Sequence, residues 1–349
     1  MSKLQLGLAI AGGLLLAALV AHGAWKARRR QPRLADPETT PQEPHGLGDV
    51  PLDSSAETRA TAAVQEALPL PTPLEHKPVL DPLIDVIATL ELEHPISGDA
   101  VLLHLPATRR VGSKPFAIEG LEENTGQWEL PLAGRRYSAL QAGVQLANRA
   151  GPLNEIEYSE FVVKTQAVAD ALGGAPEFPD MLDAVARARE LDAFASEHDA
   201  QLSITLHARQ TAWSAGYVQQ NAARLGLVPG VLPGRMVLPA ALSGLPPLLS
   251  LQYDPQAVLS DDPAQTAIWQ IVLSLDVAQV PREDQAYARM TDIAARLAEV
   301  MDGQLTDDNG HPLAAEAMEQ IGAELEKLYA RLDERELSAG SMLARRLFS

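Results

Sequence analysis

Two stretches of this chain repeat one pattern at a fixed distance. Residues 137–174 line up with residues 266–303 at a constant offset of 129, without a gap. Under that offset Leu146 meets Leu275, Pro152 meets Pro281, Phe161 meets Met290, Val168 meets Leu297 and Leu172 meets Met301. Each stretch reads as an alternating strand, a Pro turn and an amphipathic helix ending in Gly. In the second, Met290, Ile293, Leu297 and Met301 fall at i, i+3, i+7 and i+11, the spacing of one helix face. A chain that writes the same supersecondary unit twice is a degenerate tandem repeat.

The openings of the two copies agree as well. Residues 83–93 and 201–208 alternate like strands, with Ile84, Val86, Leu90 and Leu92 on one face and Leu202, Ile204 and Leu206 on the other copy's. In the second copy a helix follows over 214–225, with Ser214 as N-cap and Gly226 past its end. Short strands are expected at 235–238 and 248–253 and a longer one at 268–277, then helices at 282–301 and 312–335. The first copy supplies strands at 115–119 and 128–131 and a short helix from Gly98, capped by Ser97 and stopped by Pro106. The expectation is an α+β protein: two related antiparallel-sheet domains, each with helices on one face. Their bounds are 83–199 and 200–336, with a C-terminal tail at 337–349. That tail's basic-apolar end either packs on its own domain or contacts a membrane or partner.

Ahead of these domains lie two segments of other character. Residues 4–25 carry no formal charge, and Lys26, Arg28, Arg29, Arg30 and Arg33 follow at once. As a helix the run would rise about 33 Å, enough to cross a hydrocarbon core. Basic residues stay on the cytoplasmic side. Residues 1–30 therefore read as a single-pass transmembrane anchor with a basic flank. Its N-terminus is periplasmic and the C-terminal domains are cytoplasmic. A cleaved leader would carry its charge before the apolar run. Residues 31–82 hold ten prolines and no aromatic residue, the composition of a flexible linker.

Net charge is -18, and because residues 1–34 hold six Lys/Arg and no acid, the remainder carries -24. So acidic a body is repelled by nucleic acid and by anionic lipid. The absence of cysteine excludes disulfides and thiolate metal sites. No phosphate loop, dinucleotide fingerprint, nucleophile elbow or paired-His spacing occurs. The stretch 226–235 (GLVPGVLPGR) lacks the Lys-Ser/Thr of a phosphate loop and reads as an exposed turn. Glu155, Glu157 and Glu160 sit at a helix start, where carboxylates favour the dipole. No cofactor and no catalytic group is expected.

With the anchor segment LVAHGAW (19–25) and its basic flank, the Pro-rich linker and the closing domain, the chain resembles the ZipA family. These are bacterial inner-membrane proteins that tether the tubulin-like division protein FtsZ. The resemblance covers the anchor and residues 200–336, through strand QLSITLHA (201–208), a helix holding Gly216, a strand with Met236, strands LLSLQY and IVLSLDV, and two closing helices with Gly303 between. It implies a division adaptor, not an enzyme, whose sheet leaves one face open as a shallow groove for the C-terminal tail of FtsZ. Carried over, Met236, Leu238 and Val272 match the groove positions. By alternation, however, the faces opposite the core stripes are Gln201, Ser203 and Thr205, and Val272, Ser274 and Asp276, mostly polar where the family is apolar. The first copy offers Asp85, Ile87, Thr89 and Glu91 there. Two other classes stand beside the adaptor: a membrane-bound enzyme with its site between the copies, and a secreted binding protein.

Overall fold

The computed structural model describes residues 32–34, 79–242, 244–259, 266–307 and 310–349. The apolar run at 4–25 and most of the Pro-rich segment lie outside the described residues. Among the described residues no helix is long and apolar enough to cross a membrane. The described residues divide into two compact units, one within 79–194 and the other formed by 32–34 with residues from 195 on. Both are α+β with antiparallel sheets.

The first unit begins with β1 (Asp85–Ser97) and α1 (Gly98–His104), where the Ser97 hydroxyl accepts from the Ala100 N–H. Then come β2 (Arg110–Val111), β3 (Lys114–Glu122), β4 (Trp128–Glu129), β5 (Arg136–Gln145), β6 (Ala147–Asn148) and β7 (Gly151–Pro152). Helix α2 (Glu155–Leu172) starts on a capping box, in which Asn154 accepts from the Glu157 N–H and the Glu157 carboxylate turns back to the Asn154 N–H. That carboxylate also accepts from Ser113, and Glu160 accepts from the Gly112 N–H, so the acidic helix start fastens a loop. Gly173, at φ 69°, ends the helix, and β8 (Gly174–Glu177) follows. The sheet order is β2-β3-β5-β1-β8. Phe116, Ile118, Leu140, Ala142, Val144, Val86, Ala88 and Leu90 form its buried face, and Phe116 meets Phe161 of α2 edge-on at 6.1 Å. A last helix, α3 (Met181–His198), to which the sequence reading assigns nothing, buries Ala184, Val185, Ala188 and Leu191.

In the second unit β9 (Gln201–Ala208) leads through Trp213 to α4 (Ala215–Arg224), capped by Ser214, and to β10 (Val228–Pro229), β11 (Arg235–Leu238) and β12 (Leu249–Gln252). After the short α5 (Gln256–Leu259) come β13 (Gln270–Asp276), α6 (Ala286–Met301), β14 (Gly303–Thr306), α7 (Ala315–Glu334) and α8 (Met342–Leu347). The sheet order is β10-β11-β12-β13-β9-β14. Ile271, Leu273 and Leu275 point to α6, whose Met290, Ile293, Leu297 and Met301 are buried as their spacing requires.

Two expectations are corrected, and one open alternative is decided. The helix expected over 282–301 is interrupted: a 3-10 turn (Arg282–Asp284) ends at Gln285, which holds φ 48°, and α6 starts afresh. Of the two readings of residues 337–349, packing on their own domain is the one seen, with Leu337, Ala344, Leu347 and Phe348 buried. Both ends of the supposed linker belong to the folded units. Arg33 forms a parallel bridge with Trp213 of the second unit, and Leu80 is buried in the first.

Candidate partner-binding face

Alternation along the strands sorts the second sheet into two faces. On β11, Met236 opposes Leu251 and Leu238 opposes Leu249, whereas Arg235 opposes Gln252 and Val237 opposes Ser250. Leu251 in turn opposes Leu273, which packs against the helices. Met236, 2% exposed, and Leu238 therefore lie on the helix-covered face, and neither lines the open one. Val272 does, beside Gln252 and Thr205. The three residues assigned to the groove by resemblance are thus not brought together. A placement one residue along β11 reverses the face, and Val237 is the residue that the open side presents.

That open face carries a cleft of about 550 Å³, walled by Pro246 and Pro247 and floored by Ser203, Ser250, Ser274, Gln252 and Arg235. Its lining includes one carboxylate, Asp276, and no histidine. The Gln279 side chain stands at the rim and donates to the Phe348 carbonyl at 2.8 Å and to that of Arg345 at 3.3 Å, so α8 props the cleft's edge. Through Arg235 and Pro247 it adjoins a second hollow of about 510 Å³, lined by Val231, Leu232, Val237, Pro239, Ala240 and Leu242. Val231, Leu232 and Leu242 are exposed, so apolar surface lies open at this end of the sheet. The stretch 226–235, read from sequence as an exposed turn, supplies part of it. Gly234, at φ 72°, closes the β10–β11 hairpin, and a Cβ there would lie 2.6 Å from the Tyr253 carbonyl oxygen. Among the described residues no group of three metal-ligating side chains occurs.

Part of the first unit's open face, around Gly143 and Glu119, is covered by the chain itself. The Leu80 side chain lies on Gly143, where a Cβ would come within 2.4 Å of it. The Leu80 N–H donates to Glu119 Oε1 at 3.0 Å, and the Val79 N–H donates to the same oxygen. Gln141 Nε2 donates to the other carboxylate oxygen at 2.7 Å. The ladders relate this place to the second unit. Thr89 opposes Glu177 and Gln141 in the first sheet, as Thr205 opposes Thr306 and Val272 in the second. Stepping along the strands, Gly143 corresponds to Ser274 and Glu119 to Gln252. Those are two of the residues that floor the 550 Å³ cleft. No sequence signal marked residues 79–80, because a contact with a residue forty positions on leaves no local period.

The family model described as "ZipA, C-terminal FtsZ-binding domain" matches residues 258–324. The matched stretch holds β13, α6 and β14, and Val272 lies within it, while Met236 and Leu238 fall outside. No curated protein matches the chain.

Proposed function

We propose that this chain, which belongs to the ZipA family, is a division adaptor whose second unit takes the C-terminal tail of FtsZ on its open sheet face. The basis is a ZipA-type FtsZ-binding domain at residues 258–324. The observation that carries the placement is the contrast between the two sheets. At corresponding positions one face is filled by the chain's own Leu80, and the other is an open cleft running into an exposed apolar hollow. In this reading the tail lies extended over Ser274 and Ser250. It buries its large side chains against Val237, Leu232 and Leu242, each worth about 1.5–3 kcal/mol when fully covered. Gln252 and Arg235 supply polar partners for its backbone. The N-terminal run tethers the protein to the inner membrane, with both units on the cytoplasmic side, and the first unit is a related copy of the second.

Fluorescence anisotropy of a labelled FtsZ C-terminal peptide, titrated with the full chain in nanodiscs, tests the reading. Saturable binding is expected, weakened at least tenfold in Val237→Glu and in Ser274→Arg. Binding unchanged in both variants would move the tail off this face. No binding at all would reduce the family likeness to architecture.

A further inference from the structure

Arg33 is the last of the basic residues that follow the uncharged run, yet it is held by the second unit through four hydrogen bonds. Its N–H donates to the Ala212 carbonyl at 2.7 Å, and its own carbonyl accepts from the Ser214 N–H at 2.9 Å. Its guanidinium donates to the Met301 carbonyl at 3.1 Å and to the Asp302 carboxylate at 3.2 Å. The seam is prepared for it. Trp213, fully buried, bridges Arg33 on one side and Ile268 on the other, and its Nε1 donates to the same Met301 carbonyl at 2.9 Å. Asp302 takes a left-handed conformation, φ 54°, at the end of α6, which leaves its carboxylate beside the exposed last carbonyls of that helix. A cation there meets both the carboxylate and the negative end of the helix dipole.

The position of this seam has a consequence. Arg33 lies eight residue steps past the end of the uncharged run at Trp25. A fully extended chain of that length spans at most about 29 Å. An undocked tether running on to residue 79 would have an end-to-end distance of roughly 40 Å and a wide spread about it. The seam also lies at one end of the sheet. The Ala208 N–H donates to the Trp269 carbonyl there, just ahead of β13, while Asp276 at the far end of β13 lines the cleft. The six steps of that strand put the two ends about 20 Å apart. The seam end presents exposed Leu34, Trp269 and Arg209 beside the carboxylates of Asp302 and Glu299, and of these the apolar, aromatic and basic side chains suit a bilayer interface.

We infer that residues 32–34 are a juxtamembrane clamp that holds the second unit close to the bilayer, against the repulsion of its acidic body by anionic lipid, with its cleft directed away from the lipid. In consequence the Pro-rich stretch after residue 34 spaces the first unit from the membrane, not the second. The inference rests on the anchor reading of residues 4–25, and it stands or falls separately from tail binding.

The chain has no cysteine, so two engineered thiols give clean labelling. Spin labels at Leu34→Cys and Glu299→Cys, in the full chain reconstituted into phosphatidylethanolamine/phosphatidylglycerol vesicles, should give one narrow distance distribution. It should broaden several-fold when Arg33→Pro removes the N–H and the guanidinium together. A broad distribution that Arg33→Pro leaves unchanged overturns the clamp. In the same vesicles a donor dye at Glu299→Cys, at the seam end, should transfer more energy to headgroup-labelled lipid than one at Ser338→Cys, near the cleft. Arg33→Pro should abolish the difference. Equal transfer from the two sites beside a narrow spin-label distance overturns the orientation, and transfer from neither overturns the membrane contact. FtsZ-tail affinity, measured in parallel, reports on the cleft alone.

Discussion

Met236 and Val237 are neighbours in sequence and lie on opposite sides of one strand. Replacing Met236 by Glu places a carboxylate in a core position with no partner, a change worth roughly 3–5 kcal/mol. Thermal melts should show the second unit destabilised, so lost peptide binding in that variant would reflect unfolding. Val237→Glu should leave the melting temperature within a few degrees. A second residue-scale case is Tyr137, fully buried, whose hydroxyl accepts from the Leu132 N–H and donates to Glu129. Burial foremost, with the Glu129 carboxylate adding to it, pushes the phenol up to about 12. The folded state then keeps this proton above pH 10, where the unfolded chain gives it up. Stability is whole below pH 10 and falls as pH rises towards 12, by roughly 2–3 kcal/mol from this group. Tyr137→Phe should cost about 1–3 kcal/mol at neutral pH by leaving the Glu129 and Leu132 groups without their partner. The alkaline fall attributable to Tyr137 should vanish in the same denaturant series.

Elements were legible where the period is strong and opaque where it is not. Strand β9 and strand β11 fall at the residues that alternation marks, and the α6 stripe is buried as spaced. Helix α3 escaped because half of its buried side is alanine, with only Val185 and Leu191 as large apolar groups, which gives little contrast between faces. The break at Gln285 escaped because no glycine announces a left-handed residue there. A left-handed glutamine costs about 1–2 kcal/mol. Gln285→Gly should therefore raise stability by about 0.5–1 kcal/mol net of the entropy that glycine adds to the unfolded chain, read as a shifted denaturation midpoint. The ungapped offset of 129 sets α2 against α6 and β8 against β14. The ladders instead set Gln141 against Val272, two residues further on. An even slip preserves which side chains face the core, so pattern alone could not detect it. For the site, alternation placed Val272, Ser274 and Ser203 on the open face from sequence alone. Met236 and Leu238 were carried over from a resemblance whose loop lengths differ here, and they landed on the other face.

At the scale of the whole molecule, the parts that the sequence presented as connecting chain carry structural duties. Removing residues 337–349 strips Leu337, Leu347 and Phe348 from the second unit's core. At about 1.5–3 kcal/mol for each large side chain, the truncated protein should melt far lower or fail to fold, as circular dichroism would show. Leu80→Asp puts a charge over Gly143 and beside Glu119, so it should loosen the first unit's cover without touching the second. Hydrogen exchange at the Val79 and Leu80 amides should rise by orders of magnitude, while that at Ile271 and Leu273 stays slow. Such long-range contacts have no signature in composition. Ten prolines describe a chain that makes little structure of its own, and they say nothing of what its two ends adhere to.

The support that α8 gives to Gln279 bears on how this protein should be watched in a living cell. The Phe348 carbonyl that steadies the cleft's rim belongs to the residue before Ser349. A fluorescent protein joined after Ser349 would tug on the rim and crowd the mouth of the cleft, and a dim or diffuse signal would then report the tag's interference. A small dye on one engineered thiol, at an exposed helix position such as Glu299, leaves the rim as it is and makes the image a record of the protein itself.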